Sequence, residues 1–368
     1  MTRKFLYLNG LAIFCVILFH AAGWGFTAMF SWAHRYLPVS SPDYSQAGSP
    51  VYYALRLIEQ LVVFSIPAFL FVSGYFVAFT TGKKPAPAWS AILARVKILL
   101  IPYLVWSILI LAANALQGRP PSLAGAAQSL LIGSTYPSYY FVPLLIQFYL
   151  LAPLLVPLVR RYPLAVLLVT GLLQLTIHAL IYPTVLGISS PLTDFIAHSF
   201  PKWFFPVRLF WFCAGIAAGF YLNHIKAAIL RLRPAWIGLT AVLFAAGFIE
   251  WELLTGASGQ PFLEMRETVV DALYAASFIL MILSLPDSSL PLSSRLNDWG
   301  AKSFGIYLVH SPVMEYAARA IYHFMPALLG MTALFVPIIA VIGLAVPLAL
   351  MAVVKRSPLS RWYAYLFG

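Results

Sequence analysis

The sequence predicts an all-α, polytopic membrane bundle of about ten transmembrane helices with both termini in the cytoplasm. Three observations carry this. Of the 368 residues, 62% are hydrophobic and 9% are charged, with a mean hydropathy of +0.88, whereas a soluble domain needs roughly 25% charged residues to cover its surface. Apolar runs of span length recur from end to end, in place of the ~10-residue alternating strands of a membrane barrel. Lys and Arg are distributed unevenly about those runs.

The spans are predicted, in order, near residues 5–26, 51–79, 98–117, 138–159, 163–183, 204–222, 235–254, 267–285, 303–324 and 333–354. Basic residues mark the inner ends: Arg3 and Lys4 open the first, Lys83 and Lys84 close the second, Arg95 and Lys97 open the third, and Arg160 and Arg161 close the fourth. Lys226, Arg231 and Arg233 lie between the sixth and seventh, Arg295 and Lys302 precede the ninth, and Lys355, Arg356 and Arg361 follow the tenth. Of 23 Lys and Arg, this leaves only Arg35, Arg56, Arg119, Lys202, Arg208, Arg266 and Arg319 for the other side. Acidic residues run the opposite way, with Asp43, Glu59, Asp194, Glu250, Glu252, Glu264, Glu267 and Asp271 at or near the predicted outer face. The +12 formal charge is thus read as sidedness, and no nucleic-acid signature accompanies it.

No repeat, low-complexity tract or composition shift marks a second soluble domain, so one transmembrane domain is expected over residues 1–368. The first apolar run is too long for a signal-peptide core and no cleavage site clearly follows it, so no leader is expected to be removed. Cys15 and Cys213 sit inside apolar runs and read as small core residues. No metal-spaced His/Glu pair, phosphate-cradling glycine loop or G-x-S-x-G elbow is present.

The residues that carry chemistry interrupt the apolar runs. In NGLAIFCVILFHAAGWGF, Asn9, Ile13, Val16 and His20 fall on one helix face, with Asn9 and His20 ~16 Å apart along the axis. Polar groups at such depth face protein or a water-filled cavity; a buried structural His and a functional one are both open here. The ninth span, SFGIYLVHSPVMEYAARAIYHF, places Ser303, Tyr307, His310 and Met314 on one face, with Glu315 and Arg319 an i, i+4 pair. Such a pair locks a helix more often than it catalyses. His310 lies nearer the cytoplasmic end than His20 and is not required to meet it. Pro67 should bend the second span, and Ser73-Gly74 allows close approach of another backbone or a ligand. Arg95 and Lys97 are positive-inside anchors that would also suit a phosphate-bearing cofactor.

Six segments, YLNGLAIFCVILFH, PAFLFVSGY, RVKILLIPY, YYFVPLLIQFYLLAP, FWFCAGIAAG and SFGIYLVH, together resemble the membrane-bound acyltransferase family 3, whose members O-acylate cell-surface and secreted carbohydrates. The resemblance covers essentially the whole chain. It implies ten core helices in a cytoplasmic (inner) membrane, a cytosolic acyl-CoA donor, acetyl-CoA first, and an extracytoplasmic glycan or other hydroxyl acceptor. It implies His20 as the base and Asn9 as its catalytic companion. Donor binding falls to Arg95, Lys97, Ser73, Tyr307 and His310, and a supporting polar network to Glu315, Arg319, Tyr139 and Gln147. No metal is implied. Two positions depart from the family pattern. Asn9 stands where members commonly carry Arg, and Ile98 replaces the second Arg of an Arg-x-x-Arg motif beginning at Arg95, with Lys97 adjacent.

Two other readings use the same residues. An exporter of a glycan or lipid-linked intermediate also needs polar cavity-lining groups, and a family member without transferase activity would use Glu315 and Arg319 as its main polar device. Outer-loop residues Tyr36, Asp43, Tyr44, Asp194 and His198 are candidate acceptor contacts by position alone.

Overall fold

The computed structural model describes residues 2–34, 39–188, 190–191, 195, 199–264 and 267–368, excluding the side chain of Thr2. Among these residues every regular element is helical. The chain begins with α1 (Thr2–Thr27), which runs on as a π-helical stretch at Ala28–Trp32. There follow α2 (Pro50–Val62), α3 (Ser65–Thr81), α4 (Trp89–Leu116), α5 (Leu123–Ile132), α6 (Phe141–Arg161), α7 (Pro163–Ala179) and α8 (Ile181–Val185). The remainder comprises α9 (Leu209–Arg231), α10 (Arg233–Ser258), α11 (Val269–Ser284), α12 (Ser293–Ala301), α13 (Ser303–Phe324), α14 (Thr332–Arg356) and α15 (Tyr363–Phe367).

Among the described residues, eight helices are long and apolar enough to cross a membrane: Arg3–Trp32, Pro50–Thr81, Trp89–Leu116, Phe141–Arg161, Pro163–Val185, Phe205–Arg231, Arg233–Ser258 and Thr332–Arg356. They match eight of the ten predicted spans, and the protein is a multi-pass membrane protein. The predicted eighth span is α11, whose 16 residues reach ~24 Å against a hydrocarbon core of ~30 Å. The predicted ninth is α13, sufficient in length with 22 residues but too polar to qualify by composition. Both bury much of their surface in protein, so neither needs the apolarity of a lipid-facing helix.

The predicted second span is broken into α2 and α3. Pro67 cannot donate to the Val63 carbonyl four residues earlier, and its ring crowds that group. The helix therefore parts at Val63 and Phe64, and the Ser65 hydroxyl donates to the Val62 carbonyl at 2.6 Å.

The chain forms two compact units. The first comprises Met1–Ile66, His178–Ser189 and Leu230–Ala349. Within it, α1 and α12 cross at direct backbone contact: a Cβ on Gly10 would strike the Leu296 carbonyl, and a Cβ on Gly300 would strike that of Leu6. The C-terminus of α11 is capped by cations. The Lys4 ammonium donates to the carbonyls of Leu283 (3.1 Å) and Leu285, and the Arg233 guanidinium donates to that of Ser284 at 3.0 Å. Both neutralise the negative end of the helix dipole. At the other end, Thr268 and Asp271 form a reciprocal capping box.

The second unit comprises Pro67–Ile177, Ser190–Ile229 and Leu350–Gly368. Its counterpart crossing joins α3 and α9, where a Cβ on Gly74 would strike the Phe212 carbonyl and one on Gly215 that of Phe71. Cys15 in the first unit and Cys213 in the second are buried free thiols, as expected of core residues.

Candidate active site

In the first unit α1 and α13 meet at two levels. At the lower one the Asn9 amide donates to the Ser303 hydroxyl at 3.4 Å. At the upper one the rings of His20 and His310 stand 5.2 Å apart, tilted by 50°. Between these levels Ile13 and Val16 are buried, so the face predicted from sequence is the one that packs.

The encounter of the two histidines corrects the expectation that His310 need not meet His20. That expectation measured each residue from the membrane edge. The α1–α12 crossing instead sets Ser303 beside Asn9, well inside α1, and His310 then lies seven residues, ~10 Å, above that level. His20 lies ~16 Å above it, and the reach of two imidazole side chains closes the difference.

The two histidines differ in what they have left to offer. His310 is fully buried and engaged at both nitrogens: Nδ1 lies 2.7 Å from the Tyr307 carbonyl, which makes it the donor, and Nε2 lies 2.9 Å from the Ser311 hydroxyl, from which it accepts. The Tyr307 ring is itself buried, 5.9 Å from that of His310. His20 is half-buried, packs on Phe19 and His310, and makes no ring-nitrogen hydrogen bond among the described residues. Of the pair, His20 is the one whose ring nitrogens are unengaged among the described residues.

Glu315 and Arg319 form the predicted ion pair at 2.6 Å, with the Arg side chain 45% exposed. They lie about 140° and 180° around α13 from His310, on a face apart from the histidine pair.

Ser73, Arg95, Lys97, Tyr139 and Gln147 belong to the second unit. Ser73 is half-buried beside the Gly74 crossing. The Arg95 guanidinium donates to the Thr80 hydroxyl at 2.8 Å and stands 5.7 Å from the Tyr149 ring, while Lys97 is exposed. Tyr139 is buried against the rings of Tyr103 and Tyr136. Gln147 clamps the chain before α9, donating to the Trp203 carbonyl at 2.8 Å and accepting the Phe205 N–H at 3.2 Å.

Of the outer-loop candidates, Tyr44 packs on Phe30 and Phe262. Asp43 accepts from the Ser45 backbone N–H at 2.9 Å and hydroxyl at 3.0 Å, which hold its carboxyl below the usual carboxylate range. Tyr36, Asp194 and His198 lie outside the described residues.

One polar constellation of the first unit was not foreseen. Arg56, 3% exposed, pairs with Glu59 at 2.9 Å, donates to the Leu263 carbonyl at 2.6 Å, and lies 4.4 Å from the centre of the Phe262 ring. Beside it Gln60 donates to Asp271 at 2.9 Å, while Glu250 accepts from the hydroxyls of Tyr182 and Thr268 at 2.5 and 2.6 Å. The sequence carries two signals for it: an Arg/Glu pair at i, i+3 inside an apolar run, and a Thr-x-x-Asp capping box before another.

No curated protein and no solved structure matches the chain. A family model described as an acyltransferase domain matches residues 5–352, nearly the whole sequence, and with this helical membrane architecture the chain belongs to the membrane-bound acyltransferase family 3.

Proposed function

We propose that the protein transfers an acyl group, acetyl first, from cytosolic acyl-CoA to a hydroxyl of an extracytoplasmic carbohydrate or related acceptor, with His20 as the base. The observation that carries this reading is the asymmetry of the histidine pair. His310 is saturated by Tyr307 and Ser311 and buttresses a His20 whose nitrogens are uncommitted among the described residues. His20 takes the proton of the acceptor hydroxyl as its oxygen attacks the thioester carbonyl carbon. The carbon–sulfur bond then breaks, and His20 returns the proton to the leaving CoA thiolate. Asn9, ~16 Å down the same helix, is too far from His20 to touch the reacting atoms, and its role falls to holding the donor.

We place the protein in the cytoplasmic membrane with both termini in the cytosol and α11 and α13 completing ten crossings, supported by the side preference of Lys and Arg. The exposed Lys97 and the neighbouring Arg95 are assigned to phosphate contacts as a separate proposal about the second unit alone.

The test is acetyl-CoA turnover by purified protein in lipid nanodiscs, wild type against a folded His20→Ala variant. Release of free CoA by wild type, lost in the variant, supports the reading. No turnover and no binding of acetyl-CoA overturns it in favour of an exporter.

A further inference from the structure

The face of α1 that carries His20 changes character at that residue. Below it, Ile13 and Val16 are buried. Above it, toward the predicted outer side, the same helical period continues through Gly23 and Thr27, and there the surface is open. Gly23 is exposed, with no described atom within 4 Å of a Cβ built on it. Thr27 is half-buried, and its hydroxyl donates to the Gly23 carbonyl at 3.0 Å. Gly10 and Gly25 are explained by their neighbours, since a Cβ would strike the Leu296 carbonyl at the first and a Val336 methyl at the second. Gly23 has no such neighbour, although a glycine inside a helix costs about 1 kcal/mol against Ala. Packing of the fold does not account for it.

Aromatic rings wall the flank of this open face. Trp24 lies one turn above His20 and about 40° round the helix from it. Trp24 and Trp32 are separated by ~12 Å of straight helix, yet their rings converge to 5.2 Å at 46°. Trp32 belongs to the π-helical stretch that extends α1 and stands 4.9 Å from the ring of Tyr322 on α13. All three are half-buried, so each ring is held by protein on one side and keeps part of its surface for another molecule. We propose that Trp24, Trp32 and Tyr322 form the acceptor platform. A saccharide ring lays its C–H face on the indoles, in the space that Gly23 leaves, and turns one hydroxyl toward His20 a turn below. Apolar ring faces with a few placed polar groups are what a sugar, apolar on its faces and polar round its edge, requires. The Thr27 hydroxyl oxygen keeps acceptor capacity for a second sugar hydroxyl. The inference rests on the functional reading above and assigns Gly23 and Trp24 the choice of acceptor.

The experiment follows acetyl transfer from acetyl-CoA by protein in nanodiscs to a mixture of the methyl glycosides of glucose, galactose, mannose and N-acetylglucosamine, with sorbitol as a ringless polyol. Wild type, Trp24→Ala, Trp24→Phe and Gly23→Leu are compared, with acetyl-CoA affinity and thermal midpoints measured alongside. Wild type should acetylate the glycosides and not sorbitol. Trp24→Ala should raise the KM for glycoside about tenfold, the weight of one lost ring contact, without weakening acetyl-CoA binding, and Trp24→Phe should recover most of the loss. Gly23→Leu should raise the same KM at least as much while its thermal midpoint holds or rises, because Leu favours the helix and meets no neighbour. Wild-type KM values in both Trp24→Ala and Gly23→Leu make the rings ordinary interfacial aromatics and overturn the assignment, as does a fall in thermal midpoint with KM unmoved. A wild type that releases CoA from acetyl-CoA but acetylates sorbitol as well as the glycosides, or neither, overturns the platform and leaves the donor chemistry standing. A wild type that neither binds nor turns over acetyl-CoA overturns the functional reading, and the assignment with it.

Discussion

The Ser311 hydroxyl donates to Nε2 of His310 at 2.9 Å while the Tyr307 carbonyl accepts from Nδ1 at 2.7 Å, so one histidine of the pair is saturated by its own helix. A group so held orients its neighbour. His20→Ala should reduce turnover by about 10²–10⁴-fold, the usual contribution of a positioned base, with little change in thermal midpoint because its ring makes no hydrogen bond among the described residues.

Ser311→Ala should behave in the opposite way. It leaves the buried Nε2 of His310 without its donor, at a cost of about 1–3 kcal/mol, and should loosen the surface against which His20 packs. Thermal unfolding and CoA release, measured on one preparation, separate the two variants: the first loses turnover before stability, the second stability first.

The glycine crossings admit no side chain. Gly10→Ala and Gly300→Ala push a methyl group into a backbone carbonyl, and since overpacking costs about 1–3 kcal/mol or more, each should lower the thermal midpoint of the purified protein. Gly23, on the same helix with nothing within 4 Å of its missing Cβ, is the control. Gly23→Ala should be neutral or gain up to about 1 kcal/mol from helix propensity.

Arg56 and Glu59 test whether a buried ion pair is itself stabilising or only costly to break. Arg56→Met strands the carboxylate in its buried place and should cost about 3–5 kcal/mol, whereas the double variant Arg56→Met/Glu59→Leu should recover much of that loss. A double variant as unstable as the single would show that the Arg56 bond to the Leu263 carbonyl carries the weight.

The Asp43 turn is pH-sensitive with a defined sign. Its carboxyl lies below the ordinary value of 3.8 because the Ser45 N–H and hydroxyl favour the charged form. The turn therefore keeps its full strength above the ordinary value and loses it as pH falls through the lowered one. Hydrogen exchange at the Ser45 amide, corrected for intrinsic rates, should show protection failing in acid. Asp43→Asn should remove that dependence.

Eight of the ten predicted spans, their order and the multi-pass membrane character were legible in the chain because each depends on local composition. A bend at Pro67 was readable for the same reason, since a missing N–H acts on the carbonyl four residues away, but its parting of the span into α2 and α3 was not. The packed face of Asn9, Ile13, Val16 and His20 followed from helical period alone. Less could be read where a side chain's partner lies far along the chain. Arg56, Gln60 and Asp271 look like stray charges in apolar runs until α2, α10 and α11 bring them together, and Lys4 looks like an inner-side anchor until the end of α11 needs a cap.

By itself the sequence determined an apolar helical membrane protein of the acyltransferase 3 family, with His20 and His310 each on a helix face turned toward protein. Only the tertiary structure decided that the two rings meet and that His310 is spent while His20 is free. The reason is register: helical period states which way a side chain points, but the height at which two helices meet is set by a third element, here α12 locked to α1 through Gly10 and Gly300.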